Sequence, residues 1–232
     1  MTTRDRPLAL VTGASGGIGA AIARALGPTH RVLLGGRDRD ALDELAASLP
    51  DARPFPVDLA DPQSLHATTE DIETLDVLVH SAGVVTIAPL HATPVEVWRQ
   101  TIDVNVIAVA ELTRVLLPAL RSAHGRVVMI NSGAGRRVNP NWGSYAVSKF
   151  ALRGYAEALR VEEEANGVEV TTIYPGRTAT DMQREVRAAE GGDYEEQAYL
   201  RPETVADAVL FALNTPPDGR LTELTLRPGN TG

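Results

Sequence analysis

The apolar run Leu8-Ala9-Leu10-Val11 leads directly into Thr12-Gly13-Ala14-Ser15-Gly16-Gly17-Ile18-Gly19 and then an alanine-rich stretch, and this passage constrains the chain more than any other. The apolar run reads as a strand, and Ile18, Ile22 and Leu26 fall on one face of a helix. Between them lies a turn nearly bare of side chains. Residues without a Cβ let the backbone approach a pyrophosphate, whose charge then sits at the positive end of the helix. Gly13, Gly17 and Gly19, with Ser15 and Ile18 beside them, are therefore candidate cofactor-binding residues. A tight strand-to-helix connection without a ligand is the competing reading, because the spacing is not G-x-G-x-x-G.

The same alternation continues along the chain. Further strands are expected at residues 30–34, 53–57, 75–79, 125–130, 168–174 and 221–226, and the fifth, almost wholly apolar, implies burial on both faces. Helices are expected over 40–49, from Pro94 toward Pro118, from Tyr145 to about residue 165, and over 202–213. Asp61-Pro62 offers an N-cap with Pro at the first helical position, Thr93-Pro94-Val95-Glu96 a capping box, and Ser144 an N-cap for the Tyr145 helix. Pro118 should kink or end its helix. Strand-helix-strand order implies right-handed crossovers. The expected fold is α/β, a doubly wound, seven-stranded, mostly parallel sheet with helices on both faces, whose ligands gather at the carboxyl ends of the strands. No linker divides residues 1–232, so one dinucleotide-binding and catalytic domain is expected.

Several function classes are disfavoured. The net charge of -8, with no basic stripe, argues against nucleic acid as a partner. Without cysteine there is no thiolate nucleophile and no Cys-ligated metal, and the five histidines show no ligand spacing. No apolar run approaches the length of a membrane span, and the amino-terminal residues carry charges rather than a signal-like apolar segment, so a cytoplasmic protein is expected.

After the second strand, Gly36 leaves room and Arg37 presents a fork suited to a 2′-phosphate, which favours NADP(H). Asp38 is the rival, since an acid about 20 residues past the turn would take a 2′-hydroxyl and indicate NAD(H). Asp58, followed by Leu59 at the end of the third strand, either holds an adenine amino group or caps the strand. Asn105 falls inside a helix among apolar residues and is either a structural bridge or part of a polar site.

Tyr145 and Lys149 are four apart at the start of a helix and share one face. An unperturbed phenol titrates near ~10, so acid-base work near neutrality needs a shift of roughly two to three units, or about 3 to 4 kcal/mol. A cation about 4 Å away at an effective dielectric of about 20 supplies roughly 4 kcal/mol. The bland alternative has Tyr145 covering a core while Lys149 points to water.

Together these motifs resemble the short-chain dehydrogenase/reductase family, across essentially the whole chain. Residues 12–19 look like its T-G-x-x-x-G-x-G cofactor turn, and Tyr145-Ala-Val-Ser-Lys149 matches its Y-x-x-x-K motif. Ser132 lies where the family places its substrate-orienting serine, Asn105 matches the fourth catalytic position, and Pro175-Gly176 with Thr178 and Thr180 resembles the loop closing over nicotinamide. The resemblance implies hydride transfer between a nicotinamide and a carbonyl or secondary alcohol. In it Tyr145 is the general acid/base, Ser132 binds the same oxygen, Lys149 lowers the phenol pKa and holds the ribose, and Asn105 fixes a water. It implies further cofactor contacts at Ala82, Gly83, Tyr145 and Lys149, and a homodimer or homotetramer paired through the helices bearing Asn105 and Tyr145. Two departures stand out: His80-Ser81 replaces the usual Asn-Asn before Ala82-Gly83, and position 16 lacks the basic residue of many NADP-preferring members. An NAD-linked alcohol dehydrogenase and a non-catalytic dinucleotide sensor are the alternatives.

The substrate pocket is expected from residues 133–142, from 84–87 and from the region after Thr180, with Trp142 and Met182 as an apolar wall or plain packing. Arg136 and Arg137 read as solvated surface, with recognition of an anionic group the alternative. The charged stretch 183–200 is expected to be a mobile lid.

Overall fold

The computed structural model describes residues 6–61, 64–216 and 218–229. Among these, seven strands form one sheet: β1 (Leu8–Thr12), β2 (Arg31–Gly36), β3 (Ala52–Pro56), β4 (Val77–His80), β5 (Arg126–Ile130), β6 (Glu169–Pro175) and β7 (Glu223–Leu226). Their order is β3-β2-β1-β4-β5-β6-β7 and every neighbouring pair is parallel. The helices are α1 (Gly17–Leu26), α2 (Arg39–Ala47), α3 (Ser64–Thr69), α4 (Val95–Ile102), α5 (Ala108–Ala123), α6 (Gly143–Glu163), α7 (Asp181–Ala189) and α8 (Pro202–Leu213).

The apolar strands follow from cores on both faces. In β1, Ala9 and Val11 enter a cluster with Ile22, Leu42 and Val209 from α1, α2 and α8. Leu10 points the other way, into a cluster with Leu112 and Leu152 from α5 and α6. In β5, Val128 and Ile130 join the first cluster and Val127 and Met129 the second. Period-2 alternation thus carries apolar side chains to two helical layers. The sheet order reverses between β1 and β4, which opens a crevice at their carboxyl ends. No helix among the described residues is long and apolar enough to cross a membrane.

Local expectations needed correction in five places. The Thr93 hydroxyl donates to Pro89 O at 2.9 Å, and α4 starts at Val95 with Pro94 as an N-cap that makes no side-chain cap bond, so the capping box does not form. The expected single helix runs without a gap from Val95 to Ala123 but contains a π-helical segment, Asp103–Ile107, between α4 and α5. Pro118 does not end α5, which continues to Ala123; Pro118 is on the exposed face, while Leu116, Ala119 and Leu120 keep the helix packed on the core. Helix α6 opens two residues early, at Gly143 with Trp142 as N-cap, leaving Ser144 inside the helix and buried. Residues 183–189 of the stretch expected to be a mobile lid lie in α7, capped by the Thr180 hydroxyl accepting from Gln183 N at 3.2 Å and anchored by buried Val186. Pro62, the expected first residue of α3, lies outside the described residues.

Candidate active site

A cleft of about 390 Å³ follows the carboxyl ends of β2, β1, β4 and β5, from Arg37 at one end to Tyr145 and Lys149 at the other. Its floor is the glycine turn, with Gly13, Ser15, Gly17, Ile18 and Gly19 all on the wall. Gly13 and Gly17 have φ of +69° and +52°, where a side chain is strained. A Cβ on Gly13 would lie 2.9 Å from the Ala82 backbone, and one on Gly19 only 2.1 Å from Gly13 O. Helix α1 starts at Gly17, with Gly16 as an N-cap that makes no side-chain bond and no acid in its first turn. Its first N–H groups therefore face the cleft without an intrahelical partner, which suits an anion. Thr12 Oγ1 accepts from Ser81 N and Ala82 N at 3.0 and 3.2 Å, holding the loop after β4 against this turn. A dinucleotide fits these features: a bare turn for the pyrophosphate and polar groups at both ends.

At the adenosine end the two rivals separate. Arg37 is on the wall, whereas Asp38 is the N-cap of α2, its carboxylate accepting from Ala41 N at 3.1 Å. Asp58, Leu59 and Ala60 also line the wall, and Asp58 Oδ1 accepts from Ala60 N at 2.9 Å. Asp58 thus combines a turn-capping role with a place in the cleft.

At the other end α6 carries Tyr145 and Lys149 on its buried face, 8% and 4% exposed. Ser132, at the mouth of the loop after β5, hydrogen-bonds the Tyr145 phenol. Burial pushes that phenol up and the Ser132 bond pulls it part of the way back. Burial also draws the Lys149 ammonium down to about 8. Lys149 Nζ donates to Ile130 O at 3.2 Å and lies 5.7 Å from the Tyr145 ring centroid. In this structure desolvation dominates both groups, and at neutral pH the phenol keeps its proton.

Asn105 is 1% exposed within the π-helical segment. Its Oδ1 accepts from Val84 N at 2.8 Å and its Nδ2 donates to Val84 O and Ser148 Oγ at 2.9 and 3.0 Å. It imitates a strand partner for the loop after β4 while tying that loop to α6. The bridge and the polar site are one arrangement, since Gly83 lies between Asn105 and Lys149. Π-helical insertions often occur at such sites.

Asn131 escaped the sequence analysis although it does comparable work. Its Oδ1 accepts from Ser132 N at 2.8 Å and its Nδ2 donates to Lys149 O at 3.0 Å, joining the serine loop to α6. Its place next to Ser132 was the available signal. Gln100 and Val104 on the wall were also missed.

Other expected residues lie apart from the wall. Pro175 ends β6, and a Cβ on Gly176 would come 2.9 Å from Pro228. Thr178 is buried and donates to Gly176 O at 3.1 Å, so these three shape the loop, while Ala82, Gly83 and Thr180 reach the cleft. Of the expected pocket stretches, Val84, Asp181 and Met182 line it; Trp142 instead packs edge-on against Tyr145. Arg136 stacks 4.0 Å over the Tyr174 ring and pairs with Glu223, which assigns it to packing. His80 sits in the core with Nε2 2.9 Å from Thr113 Oγ1, and burial lowers it to about 3, so it is neutral.

Comparison with known proteins agrees with this geometry. The family model described as short chain dehydrogenase matches residues 7–191. The chain is 36% identical over 235 residues to glycine betaine reductase ATRR of Emericella nidulans, covering 95% of this chain but only 18% of that much longer protein. It is 32% identical over 247 residues to dehydrogenase/reductase SDR family member 11 of Mus musculus, covering 97% and 95%. A crystal structure of an alcohol dehydrogenase from the archaeon Thermococcus sibiricus, complexed with 5-hydroxy-NADP, superposes with a TM-score of 0.87 at 27% identity, covering 97% and 98%.

Proposed function

This chain belongs to the short-chain dehydrogenase/reductase family of oxidoreductases, and we propose that it is an NADP(H)-dependent enzyme acting on a small carbonyl or secondary alcohol substrate, with Tyr145 as general acid/base. One domain over residues 1–232 would carry both cofactor and substrate. The observation that carries the reading is that Tyr145, which Ser132 hydrogen-bonds, and Lys149 lie at one end of a cleft whose other end is Arg37 and whose floor is the glycine turn.

Gly13, Ser15, Gly17, Ile18 and Gly19 would hold the pyrophosphate, Arg37 the 2′-phosphate, Asp58 and Leu59 the adenine. Ala82, Gly83, Lys149 and Thr180 would hold the nicotinamide half, with Pro175, Gly176 and Thr178 shaping the loop that carries Thr180. When bound, the dinucleotide supplies or accepts the hydride. In the reductive direction Tyr145 gives its proton to the substrate oxygen and Ser132 donates a hydrogen bond to the same atom, so acid catalysis and oxyanion stabilisation act together. The phenol carries its proton at neutral pH, as a proton donor requires. Lys149 supplies charge beside it, and Asn105 keeps Val84 and α6 in register.

NADP(H) is favoured over NAD(H) because Asp38 is occupied as a helix cap while Arg37 faces the cleft. The neighbour complexed with 5-hydroxy-NADP points the same way. Arg37→Ala is expected to weaken NADPH binding at least about tenfold and NADH binding by less than about twofold, a charge-assisted fork being lost. Equal weakening in titrations of both cofactors would remove the phosphate contact from the proposal. Oxidation of NADPH by members of a panel of aldehydes and ketones tests the activity itself, and no turnover with any of them would favour a sensor.

We also propose a homodimer or homotetramer. Ala151, Gly154 and Ala158 leave a low strip on the exposed face of α6, beside exposed Val147 and Phe150. A monomeric mass in sedimentation overturns this.

A further inference from the structure

At the far end of α7 three donors converge on one carboxylate. Glu190, the C-cap of α7, accepts from both terminal nitrogens of Arg177 at 2.8 and 2.7 Å, from Arg187 at 2.9 Å and from Trp142 Nε1 at 3.3 Å. Its side chain is 18% exposed. The Arg177 hydrogen bonds are the main reason its carboxyl is held down to about 2. An exposed ion pair contributes little, but a bidentate fork on a part-buried carboxylate fixes geometry as well as charge.

Each partner lies on a different piece of the site. Arg177 follows Gly176 after β6, and Arg187 belongs to α7 itself. Trp142 precedes α6 and meets the Tyr145 ring edge to face, centroids 5.7 Å apart at 65°. The opposite end of α7 starts beside the cleft, where Thr180, Asp181 and Met182 line the wall. Helix α7 is therefore tied at one end to the cleft and at the other to the ring that touches the proton donor.

We propose that Glu190 is a positioning residue that pins Trp142 against Tyr145 and locks α7 as the substrate-side wall, so that it governs substrate binding and leaves cofactor binding unchanged. This rests on the reading of Tyr145 as the proton donor. Neither Glu190 nor Arg177 reaches the cleft, so both act through Trp142 and α7.

Trp142 is its own reporter, since Trp98→Phe leaves it as the sole tryptophan. In that background Glu190→Ala is expected to raise acrylamide quenching of Trp142 at least about threefold, while Glu190→Gln, whose amide oxygen still accepts from the indole, stays within about twofold. With NADPH and the panel ketone reduced fastest by the parent, Glu190→Ala should raise KM about tenfold or more, with kcat within about threefold and NADPH affinity within about twofold. If the Ala variant does not fold, Glu190→Asp, a methylene too short for the indole, must show the raised quenching. Unchanged quenching in a folded variant overturns the proposal, as does a lower kcat at constant KM. A parent protein that reduces no carbonyl refutes the function proposed above, and quenching then still decides whether Glu190 holds Trp142.

Discussion

Replacement of Tyr145 by Phe is expected to reduce turnover at least about a hundredfold, the size of a lost general acid, while NADPH binding stays within about twofold of the parent. The ring should remain where it is: Tyr145 packs with Ala134 and Ala146, and Trp142 meets it edge-on, contacts that a phenyl group preserves. What disappears is the hydroxyl that bonds Ser132 and carries a proton at neutral pH. Ser132 can still bond the substrate oxygen, and Lys149 keeps its bond to Ile130 O, so residual activity should come from positioning without proton transfer. Steady-state rates alongside a fluorescence titration of NADPH separate the two effects. Near-normal turnover would show that another group supplies the proton, and a parallel loss of affinity would show that the variant disturbed the cofactor end.

The parts of this site that could be read from sequence are those set by local geometry. Tyr145 and Lys149 share a face because helical periodicity puts them there, and both prove buried on α6. The strand, bare turn and helix from Leu8 to Leu26 likewise needed no distant partner to be recognised. Their family resemblance then located Ser132 and Asn105. Side chains whose role depends on which distant group they meet stayed illegible. Asp38 looked free to bind a ribose until its carboxylate was found on Ala41 N. Thr93 looked like the start of a capping box, but its hydroxyl turns back to Pro89 O. The stretch after Gln183 read as mobile because its charges were counted as solvated, whereas the Glu190 carboxylate is held by both Arg187 and Arg177. Asn131 is part of no motif, yet it joins the Ser132 loop to α6.

The cofactor turn provides the sharpest contrast, because two of its glycines have opposite surroundings. A Cβ on Gly19 would lie 2.1 Å from the backbone oxygen of Gly13, whereas one on Gly16 meets nothing within 4 Å. Gly16 is also extended, with φ of -176°, a conformation open to any residue. Gly19→Ala must therefore force the turn apart at its base, and Gly13 cannot yield easily, since its own Cβ position is blocked by Ala82. The expected result is a loss of NADPH affinity of at least about a hundredfold and a stability loss of about 1–3 kcal/mol, as for overpacking elsewhere. Gly16→Ala is expected to bind NADPH within about threefold of the parent and to be unchanged or more stable by about 0.4–1 kcal/mol, because alanine restricts the unfolded chain. Titration and thermal unfolding of the two variants test whether missing side chains serve the fold of the turn or the space for the ligand. Equal losses of affinity at both positions, with stability intact, would mean that the ligand needs the empty space at Gly16 as well. Loss at Gly19 alone, together with lowered stability, would mean that the turn must first close on itself before its N–H groups can present an anion site.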